Sequence, residues 1–173
     1  SVCRHPELAA RAFVVSSFGK TYHVTGWKVG YVAAPAPLMT EFRKVHQYNV
    51  FTVNTPMQHA IAGYMADPAP YLELPAFYQA KRDLFRAGLA ASRFTLLPAD
   101  GTYFQCVRYD AISSLPEGEF ARWLTATARV AAIPMAAFYR DGAGSAIGPG
   151  VIRFCFAKQD PTLRLALERL AAL

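Results

Sequence analysis

Fifteen residues near the start of the chain, Ser17-Phe18-Gly19-Lys20-Thr21-Tyr22-His23-Val24-Thr25-Gly26-Trp27-Lys28-Val29-Gly30-Tyr31, combine the groups with the most chemical reach. Lys20 follows an apolar run that reads as a strand. Ser17 lies three residues before it and Lys28 eight after, with small residues between. A lysine amine condenses with a carbonyl, and a hydroxyl with a second cation can hold a phosphate beside it. A lone lysine after a strand is ordinarily a solvated side chain, and glycines 19, 26 and 30 are ordinarily turn residues. The joint pattern sets this segment apart.

Arg153 is the second position of interest. It sits in Val151-Ile152-Arg153-Phe154-Cys155-Phe156-Ala157, where almost every neighbour is apolar. A strand alternates faces, so Arg153 shares one with Val151 and Cys155. Burying an unpaired guanidinium is very costly, so a buried Arg153 needs an anion. The alternative is an edge strand, with Arg153 in solvent or on a structural carboxylate.

Other reactive side chains carry weaker patterns. His5, His23, His46 and His59 have no metal-ligand spacing, and His23 reads as packing or local hydrogen bonding. Cys3, Cys106 and Cys155 match neither a disulfide framework nor a metal motif. Cys106 and Cys155 lie in apolar runs and are expected to be buried free thiols.

The elements that must position these residues follow from composition and periodicity. The chain has 173 residues, enough for one domain or parts of two, and 53% of them are hydrophobic. Charged residues make up 17%, low against a typical ~25%. The net charge of +6 is dispersed in singles and pairs such as Arg43-Lys44 and Lys81-Arg82, which argues against nucleic acid and suits small anions. No apolar run reaches ~18 residues, so no membrane span and a cytoplasmic setting are expected. The first residue is Ser1, with no initiator methionine, which hints at missing upstream sequence.

An α/β chain is predicted. Strands are expected at Ala12–Phe18, Val29–Ala33, Phe94–Leu97, Thr102–Arg108, Val130–Pro134 and Val151–Ala157. Helices are expected at Leu38–Tyr48, at Thr55–Ala66 with Thr55 as cap, at Ala76–Ser92, at Glu117–Arg129, and at Asp160–Leu173 with Asp160 as cap. The Ala76–Ser92 helix shows an apolar stripe of Phe77, Ala80, Leu84, Ala87 and Ala91, with Lys81, Arg82, Asp83 and Arg86 largely off it. A glycine-rich loop, 142–150, precedes the Arg153 strand.

Ser16–Tyr31 resembles the lysine signature of the fold-type I aminotransferases of class I/II, which use pyridoxal 5'-phosphate. Val45–Gln58, Gly101-Thr102-Tyr103-Phe104 and Ile152–Lys158 resemble further segments of that family in order and spacing, nearest to its methionine and kynurenine branch. The resemblance implies Lys20 as the Schiff-base lysine and Ser17 and Lys28 as phosphate ligands. It implies Arg153 as the ligand of the substrate's α-carboxylate. Most members have arginine where this chain has Lys28, which grips phosphate as a point charge and not bidentately.

The resemblance covers only the C-terminal half of such an enzyme. It implies the end of the large cofactor-binding domain at residues 1–67, a linker and interdomain helix at 68–92, and a small C-terminal domain at 93–173. No residue here matches the family's glycine-containing phosphate loop, the aromatic stacked on the cofactor ring, or the aspartate at its nitrogen. The parent is expected to be a homodimer transferring the amino group of a methionine- or aromatic-type amino acid to a 2-oxo acid. Tyr48 and Phe51 are candidates to line the neighbouring subunit's pocket. Two alternatives stay open: β-elimination at a C–S bond on the same scaffold, and a chain inactive by itself.

Overall fold

The computed structural model describes residues 1–139 and 150–173. The glycine-rich loop expected at 142–150 lies, Gly150 excepted, outside the described residues. Two compact units divide the chain, Ser1–Leu74 and Pro75–Leu173.

In the first unit, β1 (Val14–Ser17) pairs antiparallel with β2 (Gly30–Ala33), setting Val14 opposite Ala33 and Ser17 opposite Gly30. The sequence predicts a strand running through Phe18, but β1 stops at Ser17. The Ser17 hydroxyl accepts the Gly19 N–H at 3.1 Å and turns the chain into a single helical turn, Phe18–Thr21. Helix α1 (Ala36–Asn49) starts after Pro35 with Pro37 in its first turn, where a missing N–H costs nothing. None of its residues is buried. Helix α2 (Thr55–Tyr64) is capped one residue earlier than expected: the Asn54 side chain accepts the Met57 N–H at 3.2 Å, and Thr55 is the first helical residue.

The second unit is a two-layer α/β sandwich. Its sheet contains β3 (Thr95–Leu96), β4 (Phe104–Arg108), β5 (Ile133–Pro134) and β6 (Val151–Cys155), in the order β3-β4-β6-β5 and antiparallel throughout. Helices α3 (Leu74–Leu89), α4 (Glu117–Ala128) and α5 (Asp160–Ala171) bury one face of it. Register sets Gln105 opposite Phe154 and Val107 opposite Ile152 on the helix side. There Val107, Ile152 and Phe154 join Phe85, Leu89, Phe120, Leu124, Leu163, Leu167 and Leu170 in one core. Each such side chain contributes about 1.5–3 kcal/mol by leaving water. Gly88 lets α3 approach α5, since a Cβ there would meet the Leu167 side chain at 2.4 Å.

Three sequence expectations need correction here. The buried face of α3 is not the alanine-rich stripe: Phe77 is 52% exposed, Leu84 of the stripe packs against the core, and the buried residues are Phe85 and Leu89. The cations lie closer to the core than their charge suggests, because each head reaches a fixed partner. Arg86 Nη1 donates to Gln105 Oε1 at 2.6 Å and to the Leu97 carbonyl at 3.0 Å, and Lys81 Nζ pairs with Asp160 at 2.8 Å. Asp160 therefore does not cap α5. The N-cap is Gln159, with Asp160 as the first helical residue and Lys81 beside it holding its carboxyl below the usual range. Finally, Cys155 is exposed and Cys106 only half-buried, because both lie on the sheet face away from the helices.

Tyr109 stacks face to face on Phe120 at 3.8 Å and donates its hydroxyl to the Leu115 carbonyl at 2.7 Å. Burial, with Glu117 and Asp110 nearby, pushes its phenol up to about 12, from the usual ~10. A raised acid stabilises the fold fully below the unfolded value and stops doing so as pH rises through the folded one. Phenolate absorbance should therefore show one tyrosine titrating at about 12, above those at the usual ~10, with stability declining between about pH 10 and 12. Titration of Tyr109 with the bulk tyrosines, or stability flat across that range, contradicts the assignment.

Among the described residues no helix is long and apolar enough to cross a membrane, and no cluster of His, Cys, Asp and Glu has a metal-binding arrangement.

Candidate active site

Lys20 is the third residue of the Phe18–Thr21 turn, held between the two strands of the β1–β2 ribbon. The sequence predicts a lysine on a loop; the structure gives it helical backbone. The turn is fixed at several points. Phe18 N–H donates to the Val29 carbonyl at 3.1 Å, and Tyr22 N–H to the Phe18 carbonyl at 2.9 Å. The Gly19 carbonyl accepts both the Val24 N–H at 2.9 Å and the Thr25 hydroxyl at 3.2 Å. Gly19 is buried, and a Cβ on it would stand 2.9 Å from the Thr25 Cα. Gly30 faces a similar limit, because its Cβ would meet the Ser16 carbonyl oxygen at 2.6 Å. Two of the three motif glycines thus let backbone pass backbone. Gly26 has open space around it.

A second turn, Thr25–Trp27, ends at Lys28 in the left-handed region, φ 55°. That conformation is uncommon for a side chain bearing a Cβ, and such backbone clusters at functional sites. His23, between the turns, is exposed and also left-handed, φ 60°. Ser17, Lys20 and Lys28 thus all belong to one tightly bonded segment and all are exposed.

Beside this segment lies a cleft of about 420 Å³ lined by Ser17, Phe18, Thr21, Tyr22, Tyr31 and Tyr71 among others. The Phe18 and Tyr31 rings are 5.2 Å apart, and Tyr22 meets Tyr64 edge-on at 5.7 Å. Burial, and then the neighbouring tyrosines, push the Tyr22 phenol up. The Ser17 hydroxyl and the Lys28 ammonium are donors that suit a phosphate. Lys20 adds an amine on a fixed backbone turn, so the residues present fit a phosphorylated aldehyde.

Arg153 belongs to the second unit. It lies at the middle of β6, opposite Cys106 of β4 on one side and Ile133 of β5 on the other. Its face is the one the helices leave open, so the edge-strand alternative fails: β6 is an interior strand. Its guanidinium carbon stands 4.0 Å from the Phe104 ring centre and 4.7 Å from that of Phe138. Its Nε is buried with no hydrogen-bond partner, and among the described residues no carboxylate pairs with it. A half-buried guanidinium that no carboxylate of the described residues neutralises has the chemistry to take up an anion such as a carboxylate. The apolar strand pattern pointed to Arg153; nothing local in sequence pointed to Phe138.

The family model for aminotransferases of class I and II matches residues 2–170. The chain is 53% identical to the methionine aminotransferase of Escherichia coli K12, covering all of this chain and 44% of that enzyme. A solved Escherichia coli structure, reported as identifying a methionine aminotransferase function, superposes with a TM-score of 0.93 at 53% identity, covering 100% of this chain and 45% of that one. A probable N-succinyldiaminopimelate aminotransferase of Mycobacterium tuberculosis is 34% identical, covering 96% of this chain and 43% of its own length. The kynurenine–oxoglutarate transaminase of Dictyostelium discoideum is 32% identical, covering 97% and 43%. The chain thus spans less than half the length of the curated relatives it matches.

Proposed function

Since the chain belongs to the aminotransferases of class I and II, we propose that it supplies the catalytic lysine and the carboxylate-binding arginine of an amino acid aminotransferase. Members of this family use pyridoxal 5'-phosphate. When bound, that cofactor supplies the carbonyl that receives the amino group and a ring that delocalises electrons from the substrate's Cα–H bond.

The chain's own residues take the following parts. Ser17, already fixed by the Gly19 N–H, and Lys28 hold the phosphate. Arg153 holds the substrate α-carboxylate and so orients the Cα–H bond. Lys20 Nζ takes the proton from Cα as a base and, as an acid, would deliver it to the carbon that carried the cofactor's carbonyl. The amino donor is of methionine or aromatic type, and the acceptor is a 2-oxo acid. Support for this choice comes from 53% identity, over the whole chain, to a methionine aminotransferase.

Homodimerisation and a cytoplasmic setting belong to the same proposal. Exposure of Tyr48 and Phe51, at 87% and 81%, supports a partner surface there. Three free thiols suit a reducing compartment.

The observation that carries the reading is Lys20 on a capped, glycine-dependent turn between Ser17 and Lys28. The test is an amino-transfer assay on the protein at its native length, with methionine, phenylalanine and kynurenine as donors and several 2-oxo acids as acceptors. Transfer from methionine or an aromatic donor is expected. Pyruvate and ammonia released from cystathionine, with no transfer, would assign a C–S lyase instead.

A further inference from the structure

The surroundings of Arg153 hold more than a carboxylate site needs. Phe104 begins β4, on one side of β6, and Phe138 closes the short 3-10 turn Met135–Phe138 that follows β5, on the other side. Both rings approach the same guanidinium carbon, within 4.7 Å. Phe138 is 55% exposed, so burial alone does not account for its position. Attraction between the cation and the ring face does. Guanidinium N–H groups point outward in the plane of the group, and two rings drawn to its carbon restrict how that plane can turn. Approach in that plane is what a planar carboxylate requires for paired hydrogen bonds.

We propose that Phe104 and Phe138 are positioning residues that clamp the guanidinium of Arg153 edge-on to the incoming α-carboxylate. The clamp rests on the carboxylate role proposed for Arg153. It makes affinity for the carboxylate depend on ring faces that touch no reacting atom. Lys in place of Arg153 could not use the rings in this way, because an ammonium is a point charge with no plane to orient.

The test compares variants of the protein at its native length. Phe138→Leu and Phe104→Leu keep apolar bulk and remove the ring; Phe138→Tyr keeps the ring. Each is assayed for methionine turnover and titrated calorimetrically with 3-phenylpropanoate, a carboxylate with no amino group. Phe138→Leu should raise KM and the 3-phenylpropanoate Kd about three- to tenfold, with kcat changed less than about twofold. Phe104→Leu should do the same, and Phe138→Tyr should restore parental values. Unfolding midpoints check that Phe138→Leu remains folded, as expected for a half-exposed ring.

Unchanged carboxylate affinity in both leucine variants overturns the clamp, as does a Phe138→Tyr protein as weak as Phe138→Leu. Arg153→Lys separates the two levels of the argument. If it leaves the 3-phenylpropanoate Kd unchanged, the carboxylate role of Arg153 fails and the clamp with it. If it weakens binding while the leucine variants do not, the clamp alone fails.

Discussion

Lys20→Ala is expected to abolish amino-group transfer, lowering kcat by at least about a thousandfold, while leaving the fold intact. The structural side is secure because Lys20 is exposed and sits in a helical turn, where alanine is the best-tolerated residue. Among the described residues its Nζ makes no hydrogen bond or ion pair, so nothing in the scaffold depends on it. The chemical side follows from the role proposed for the amine, which is to attack a carbonyl and carry a proton. Lys20→Arg should fail almost as badly. Its guanidinium keeps the charge but cannot be deprotonated, so it can act neither as nucleophile nor as base. Peptide mass after borohydride reduction of the cofactor-loaded protein provides a second readout. The Lys20 peptide should gain the cofactor's mass in the parent protein, and no peptide should gain it in Lys20→Ala. Turnover within about tenfold of the parent would remove Lys20 from the mechanism.

How far the sequence foretells this site depends on how local each interaction is. The Lys20 turn was legible because it is built from near neighbours: Ser17, Gly19 and Thr25 all bond within seven residues of one another. Only its helical backbone escaped, because Ser17 reads equally well as a strand end or a cap. Arg153 was legible as an oddity, a cation in an apolar strand. Its environment was not, since Phe104 and Phe138 reach it through strand pairing. The α3 face was misread for the opposite reason. Periodicity counts charge as solvent-seeking, yet Arg86 and Lys81 lay their stems inward and place their heads on Gln105 and Asp160. The exposed Cys155 shows the same limit: an apolar run cannot say which face the helices will cover.

Glu117→Ala should cause the largest loss of stability. Glu117 is the first residue of α4 and 7% exposed, a rare position for a carboxylate. Its two oxygens accept the Ala136 N–H at 2.6 Å and the Val151 N–H at 2.9 Å, and it stands at the favourable end of the helix dipole. Among the described residues no cation pairs with it, so these amides are what keep the charge tolerable. Alanine would strand both donors, Val151 being fully buried, at a cost of about 3–4 kcal/mol. The unfolding midpoint should fall by roughly 10 °C or more. Glu117→Gln should recover part of this, since its amide oxygen can accept one N–H while its NH₂ opposes the other. A loss below about 1 kcal/mol for Glu117→Ala would mean that the two bonds carry little weight. The same carboxylate bears on the site. Ala136 lies two residues before Phe138, and Val151 two before Arg153, so one side chain ties down the ring and the guanidinium together. Glu117→Gln, if it folds, should therefore weaken carboxylate binding in the same direction as Phe138→Leu, though Glu117 touches neither partner of the clamp.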